Sequence, residues 1–309
     1  MKPNLIQYLT CLAIVGVLGY TSQVQAHSRW LVPSHTILSG EQAEVVALDF
    51  SISNDIFHPD VSFGGSLLYQ KPLPPEATDP AIKAMQQKRR ANMASQAGQA
   101  KVLVIAPDQM ITQISDIADV GRKSVAAALL DQSGTYHIQV VQPPVLLTLY
   151  KGEDGKPARE FGSREQTQSL LPPGASDIKV LRVINTVDTY ISRNQISDAV
   201  LKPSNSGLEM IFHSHPNEIF VGEQSNGTVL FNGKAVPANT ELKIVRNDTR
   251  YRNQRNVKTV HTDAKGQFVI AWQTPGLYLV EVEYSPPQAA EGADLERYGV
   301  YTTLEVNPE

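Results

Sequence analysis

The sequence predicts a mainly β protein: two antiparallel β-sandwich domains, the second immunoglobulin-like or transthyretin-like, with a short helical insertion near residues 79–99. Three observations carry this. Short runs rich in Val, Ile, Leu, Thr and Tyr recur along the chain, separated by Gly, Pro, Asn and Asp, the pattern of strands joined by turns. The segment 79–99 (DPAIKAMQQKRRANMASQAGQ) breaks that pattern, being rich in Ala, Gln, Met and Lys. The segment 202–207 (KPSNSG) has the composition of a connection between domains.

Residues 1–26 read as a secretory signal peptide. Lys2 precedes a mostly apolar stretch, and the polar 21–26 segment ends with Val24 and Ala26 at the −3 and −1 positions of a cleavage site. The apolar run is short of the roughly 20 residues that span a bilayer, and Gln7 and Thr10 interrupt it. The mature chain is therefore expected to begin at His27, in the periplasm, and not to be embedded in a membrane.

The N-terminal domain is expected over 27–202. Strands are predicted at 42–53, 101–106, 123–130, 134–142 and 145–151, with a turn at Asp131-Gln132-Ser133-Gly134. The helix is expected to start at Asp79-Pro80, because proline is favoured in a first turn. Its Lys88-Arg89-Arg90 trio reads as a solvated face. The C-terminal domain is expected over 207–309, with strands at 208–212, 227–231, 240–246, 257–262, 267–274, 276–284 and 298–306. Asn232-Gly233 between two of these runs signals a hairpin. Seven short strands in so short a stretch fit a sandwich.

Composition removes several functions. The chain has 27 basic and 31 acidic residues, a net charge of −4, and no basic cluster of the kind a nucleic-acid partner would need. The single cysteine, Cys11, lies inside the signal, which leaves the mature chain without disulfides, thiolate catalysis or cysteine metal ligands. Phosphate-loop, G-x-S-x-G and H-E-x-x-H patterns are all lacking. A non-enzymatic protein is the expectation.

Histidine placement carries the positive signal. A freed His27 joins an α-amine, of pKa about 8, to an imidazole, of pKa about 6.5. Together they form a chelate suited to nickel, copper, cobalt or zinc. His213 and His215 stand two apart and would share a face if they lay in a strand; the competing reading is a polar strand end entering a turn at Pro216. His58, in a loop before Pro59-Asp60, and His35 are further candidate ligands. His137, inside an alternating strand, reads as structural, and His261 fits either role.

Several of these segments resemble a known family. His27-Ser28-Arg29-Trp30-Leu31-Val32-Pro33 is similar to the A-H-x-x-W-L-x-P opening of a set of exported bacterial proteins. Ser53-Asn54-Asp55-Ile56-Phe57 resembles their S-N-D-x-F segment. Gly207-Leu208-Glu209, His215-Pro216-Asn217-Glu218 and Val221-Gly222-Glu223 resemble their G-L-E, H-P-N-D and G-E block, with Glu218 in place of the commoner Asp. Thr249-Arg250-Tyr251-Arg252 and Thr262-Asp263-Ala264-Lys265-Gly266 complete the likeness to the domain-of-unknown-function family 4198. His27 and His215 fall on the shared pattern, whereas His213 stands where many relatives carry another residue. The resemblance implies a periplasmic β-sandwich protein and a role in transition-metal uptake, historically of nickel.

The function expected from these readings is binding or delivery of a transition metal ion, in company with an outer-membrane receptor or inner-membrane metal transporter. A protein-interaction module docking to such a receptor is the alternative from another class. A histidine-brace copper enzyme built on His27, with Trp30 and Tyr251 nearby, is a third.

Overall fold

The computed structural model describes residues 28–64, 66–67, 77–96, 100–252 and 254–309. The signal segment 1–26 and His27 lie outside them. In chain order the strands are β1 (Ser28–Pro33), β2 (Ile37–Leu38), β3 (Glu44–Ser53), β4 (Ser66–Leu67), β5 (Lys101–Ile105), β6 (Ile111–Ile114), β7 (Ala118–Val120), β8 (Lys123–Leu130), β9 (Gly134–Val141) and β10 (Val145–Lys151). They continue with β11 (Pro157–Phe161), β12 (Ser176–Arg193), β13 (Leu208–Phe212), β14 (Gln224–Phe231), β15 (Lys234–Ala235), β16 (Glu241–Arg246), β17 (Lys258–His261), β18 (Gln267–Ala271), β19 (Gly276–Tyr284) and β20 (Leu295–Val306). The helices are α1 (Pro80–Gln96) and the single-turn α2 (Arg164–Thr167).

The protein is mainly β, with the short helix where its composition places it. Asp79 caps α1, its Oδ1 accepting from the amides of Ala81 at 2.8 Å and Ile82 at 3.1 Å. This satisfies donors that the first helical turn leaves free. The basic trio is not wholly solvated, however. Arg89 donates from Nε at 2.9 Å and Nη2 at 2.6 Å to Oε1 of Glu160, a buried carboxylate on β11. Burying that carboxylate requires a cation beside it, and α1 supplies one. The Asn232-Gly233 turn has φ of 49° and 73°, positive at both central positions as a type I′ hairpin needs.

The described strands form three sheets. β1, β3, β8, β7 and β4 make a 5-stranded sheet; β13, β14, β15 and β18 make a 4-stranded one. Between them runs an 11-stranded sheet ordered β17-β16-β19-β20-β12-β9-β5-β6, with β10, β11 and β2 joined beside β12. Side chains alternate across a strand, and the two cores divide by that alternation. Leu279 and Tyr301 pack in the core under the 5-stranded sheet. Their neighbours Tyr278, Val280, Val300, Leu304 and Val306 pack in the core under the 4-stranded sheet. On β12, Val187 and Ile191 join the first core while Tyr190 joins the second. The large sheet is thus the middle of three layers, covered on opposite faces.

Segment 202–207 leads from β12 toward β13, yet strands from both halves share the middle sheet. β12 and β20, which form its centre, run parallel with Leu181 opposite Leu295 and Thr189 opposite Thr303. Strands buried on both faces lose polar alternation, and both strands end in nearly unbroken buried runs.

Candidate functional site

Three of the segments quoted above meet at the start of β1. Ser28 is buried and stands opposite Ser53 at the end of β3. The chain then turns through 54–60 and returns beside β3, where Ile52 and Val61 form an isolated bridge. Ser53 shapes the turn: its hydroxyl donates to Asp60 Oδ2 at 2.6 Å and accepts from the Asp55 amide at 3.0 Å. Phe57, with φ of 60°, packs edge-on against Trp30 at 5.8 Å between ring centroids. Across the cluster, the Thr249 hydroxyl donates to Asp55 Oδ1 at 2.5 Å. The 53–57 and 249–252 segments are therefore tied directly.

His58 sits in this turn, about a quarter exposed at 28%. Its Nδ1 lies 3.0 Å from the carbonyl oxygen of Ile56 and 3.3 Å from Asp55 Oδ2. Both partners only accept, so Nδ1 carries a proton. In the neutral ring Nε2 then holds a lone pair. Histidines that bind metals commonly show this arrangement, the second nitrogen donating to a carbonyl or carboxylate.

Glu281 of β19 faces the same end of β1. The Ser28 hydroxyl hydrogen-bonds its carboxylate. Its Oε1 is shielded from solvent and has no hydrogen-bond partner among the described residues. Burial pushes the Glu281 carboxyl above its ordinary value, against the pull of Ser28, Arg255 and Lys243, with Glu283 adding to the rise. An unsatisfied buried carboxylate oxygen is costly, and a cation arriving there would offset the cost. Glu281 gives no signal in the sequence, because an acidic residue within the alternating strand run 276–284 reads as solvent-facing.

The structure separates the other candidate ligands. β13 stops at Phe212, so His213 and His215 lie beyond it and the same-face argument for that pair does not hold. His213 is exposed, its Nε2 3.2 Å from Thr228 Oγ1. His215 is buried, 8% exposed. Its Nδ1 accepts from the Asn217 amide at 3.1 Å, so the proton is on Nε2, which donates to Thr135 Oγ1 at 3.0 Å. Thr135, Ser192 and Asn217 continue the chain of hydrogen bonds to the carbonyl of Tyr190. Both His215 nitrogens are thus engaged in fastening the 215–217 turn to β9 and β12. His35 lies at the far end of β1, its Nδ1 3.2 Å from Ser34 Oγ. His137, on β9, stacks on Tyr190 and reaches Asp188. His261 ends β17. His27 lies outside the described residues. Among those residues, no three His, Cys, Asp or Glu side chains gather as a ready metal site, and no helix is long and apolar enough to cross a membrane.

Burial pushes the His215 imidazole below its ordinary value, outweighing the Ser197 carbonyl, Glu218 and Asp198. Its stabilising contribution is complete above about pH 6.5 and is lost as the pH falls from there toward the depressed folded value. Urea unfolding at pH 7.5 and 5.5 should show the protein losing stability on acidification, and a H215Q variant losing less. Equal losses in the two proteins would remove His215 from that dependence.

No characterised protein matches the chain in sequence. Among solved structures it is similar to the D0-D1 domain of intimin, at 11% identity over 89% of this chain and 96% of that one, TM-score 0.21. It is also similar to the Yersinia pseudotuberculosis adhesin InvE, at 11% identity over 90% of this chain and 60% of that one, TM-score 0.21. The tandem Ig repeats of Dlar align at 12% identity over 92% of this chain and all of that one, TM-score 0.17. Superpositions this loose carry no functional argument. The family model described as a domain of unknown function, DUF4198, matches residues 24–285, and the chain belongs to that family.

Proposed function

We propose that the protein is a non-enzymatic, exported binder of a divalent transition metal ion (nickel, copper, cobalt or zinc), and that it delivers this ion to a membrane transporter or receptor. The site lies at the start of β1. The α-amine and imidazole of a freed His27 supply two donors, Nε2 of His58 a third, and Oε1 of Glu281 a carboxylate. The observation that carries the reading is the Glu281 oxygen, shielded and unpartnered among the described residues, on a carboxylate hydrogen-bonded to the residue that follows His27. The His58 tautomer supports it, since Nε2 is the nitrogen left with a lone pair. Imidazole with one carboxylate suits borderline metals better than calcium or magnesium, which take oxygen ligands.

Titration calorimetry with each of the four ions tests this on protein whose first residue is His27. Binding tighter than about micromolar is expected, and a methionine left before His27 should weaken it about tenfold or more by moving the amine out of the chelate. H58A should weaken binding to a similar degree, whereas H213A should leave it unchanged. Affinity should fall below about pH 6, where protons compete for imidazole. Equal affinity in the processed and methionine-extended proteins would exclude His27 as a ligand.

A further inference from the structure

A cavity of about 470 Å³ opens between the end of β3, α1, the β10–β11 hairpin and the middle sheet. That volume falls within the roughly 300–1,000 Å³ typical of small-molecule sites. Its walls are apolar: Ile52, Phe63, Met93, Val145, Phe161 and Val183 line it. Three guanidinium groups, from Arg29, Arg159 and Arg297, join the lining beside the neutral polar Ser62, Gln142 and Asn185, and no aspartate or glutamate is among the described residues that form it.

The charges of Arg159 and Arg297 are only partly compensated. Arg29 lies over the Tyr301 ring at 5.6 Å, an orientation that holds the cation at the wall. Arg297 has Glu283 as its nearest carboxylate, 4.0 Å from Nε and beyond a hydrogen bond. That Nε is shielded from solvent and has no hydrogen-bond partner among the described residues. Arg159, exposed on β11, has no ion pair among the described residues. Guanidinium groups bind planar carboxylates through paired N–H donors, while the hydrocarbon walls favour an apolar body.

We propose that this cavity binds a small amphipathic organic anion, an apolar body bearing one carboxylate or sulfonate, taken up as a free molecule. The site needs no metal ion and does not involve His27, His58 or Glu281.

Displacement of the fluorescent probe 1-anilinonaphthalene-8-sulfonate from the full-length mature protein, in the presence of a metal chelator, tests this. The probe should brighten on binding, and decanoate should displace it at concentrations about tenfold lower than decyltrimethylammonium, which has the same chain and the opposite charge. An R159M/R297M variant, checked for folding by circular dichroism, should bind the probe about tenfold more weakly. R159M alone, altering an exposed side chain, should weaken binding in the same direction if the double variant fails to fold. The proposal is overturned if the two amphiphiles displace equally, if the folded arginine variant binds the probe unchanged, or if no probe binds. Association with phosphatidylglycerol vesicles without displacement by decanoate would also overturn it, since a lipid surface would then be the ligand.

Discussion

Replacing Asp188 with alanine should destabilise the protein by about 3–5 kcal/mol, the cost of breaking a buried charged network from one side. Asp188 is 5% exposed, on β12, in the middle of the central sheet. Its Oδ1 accepts from the Thr302 hydroxyl of β20 at 2.5 Å, and its Oδ2 lies 3.0 Å from Nε2 of His137 on β9. One carboxylate therefore ties together three adjacent strands, and its loss strands a hydroxyl and an imidazole away from water. D188N keeps the shape and one acceptor, so about half that loss is expected. Urea midpoints of the two variants would check the ranking. A D188A protein within about 1 kcal/mol of the parent would mean that water replaces the carboxylate.

The E281Q protein should be more stable than the parent at neutral pH and a poorer metal binder. Because the folded pKa of Glu281 is raised, its contribution to stability is favourable in acid and is lost as the pH climbs through that raised value, leaving a charge held at a cost. Removing the charge should add about 1 kcal/mol near pH 7.5, with the advantage shrinking toward pH 4. Metal affinity should drop about tenfold or more with the loss of an anionic ligand. Thermal melts at the two pH values, read beside calorimetric titrations, separate the effects. A variant that gains stability and keeps its affinity would leave Glu281 as a strained structural residue only.

Local patterns were legible in the sequence where the physics is local. The runs at 123–130, 145–151, 208–212 and 276–284 coincide with β8, β10, β13 and β19, because alternation or apolar runs and turn residues lie within each segment. Asp79-Pro80 located the start of α1 for the same reason. β12 is not legible in the sequence because Lys179, Arg182, Asn185 and Asp188 interrupt its apolar residues, and the partners of two of them (Glu296 for Arg182, Thr302 for Asp188) come from β20, more than a hundred residues away. At the candidate metal site, His58 was visible as a loop histidine. Its proton placement depends on the Ile56 carbonyl, and Glu281 acquires its character only when β19 is packed against Ser28. For His213 and His215 spacing alone leaves a shared strand face and a strand end entering a turn equally open, and β13 stops at Phe212.

The position of β20 also fixes when this chain can fold. The last strand lies between β12 and β19 and pairs with both, so the middle sheet has a gap until residues 295–306 have been made. Contacts between residues this distant in sequence form slowly. Until they form, β12 presents an unpaired edge and the first core lacks Tyr301. Completion of the fold thereby waits on residues 295–306.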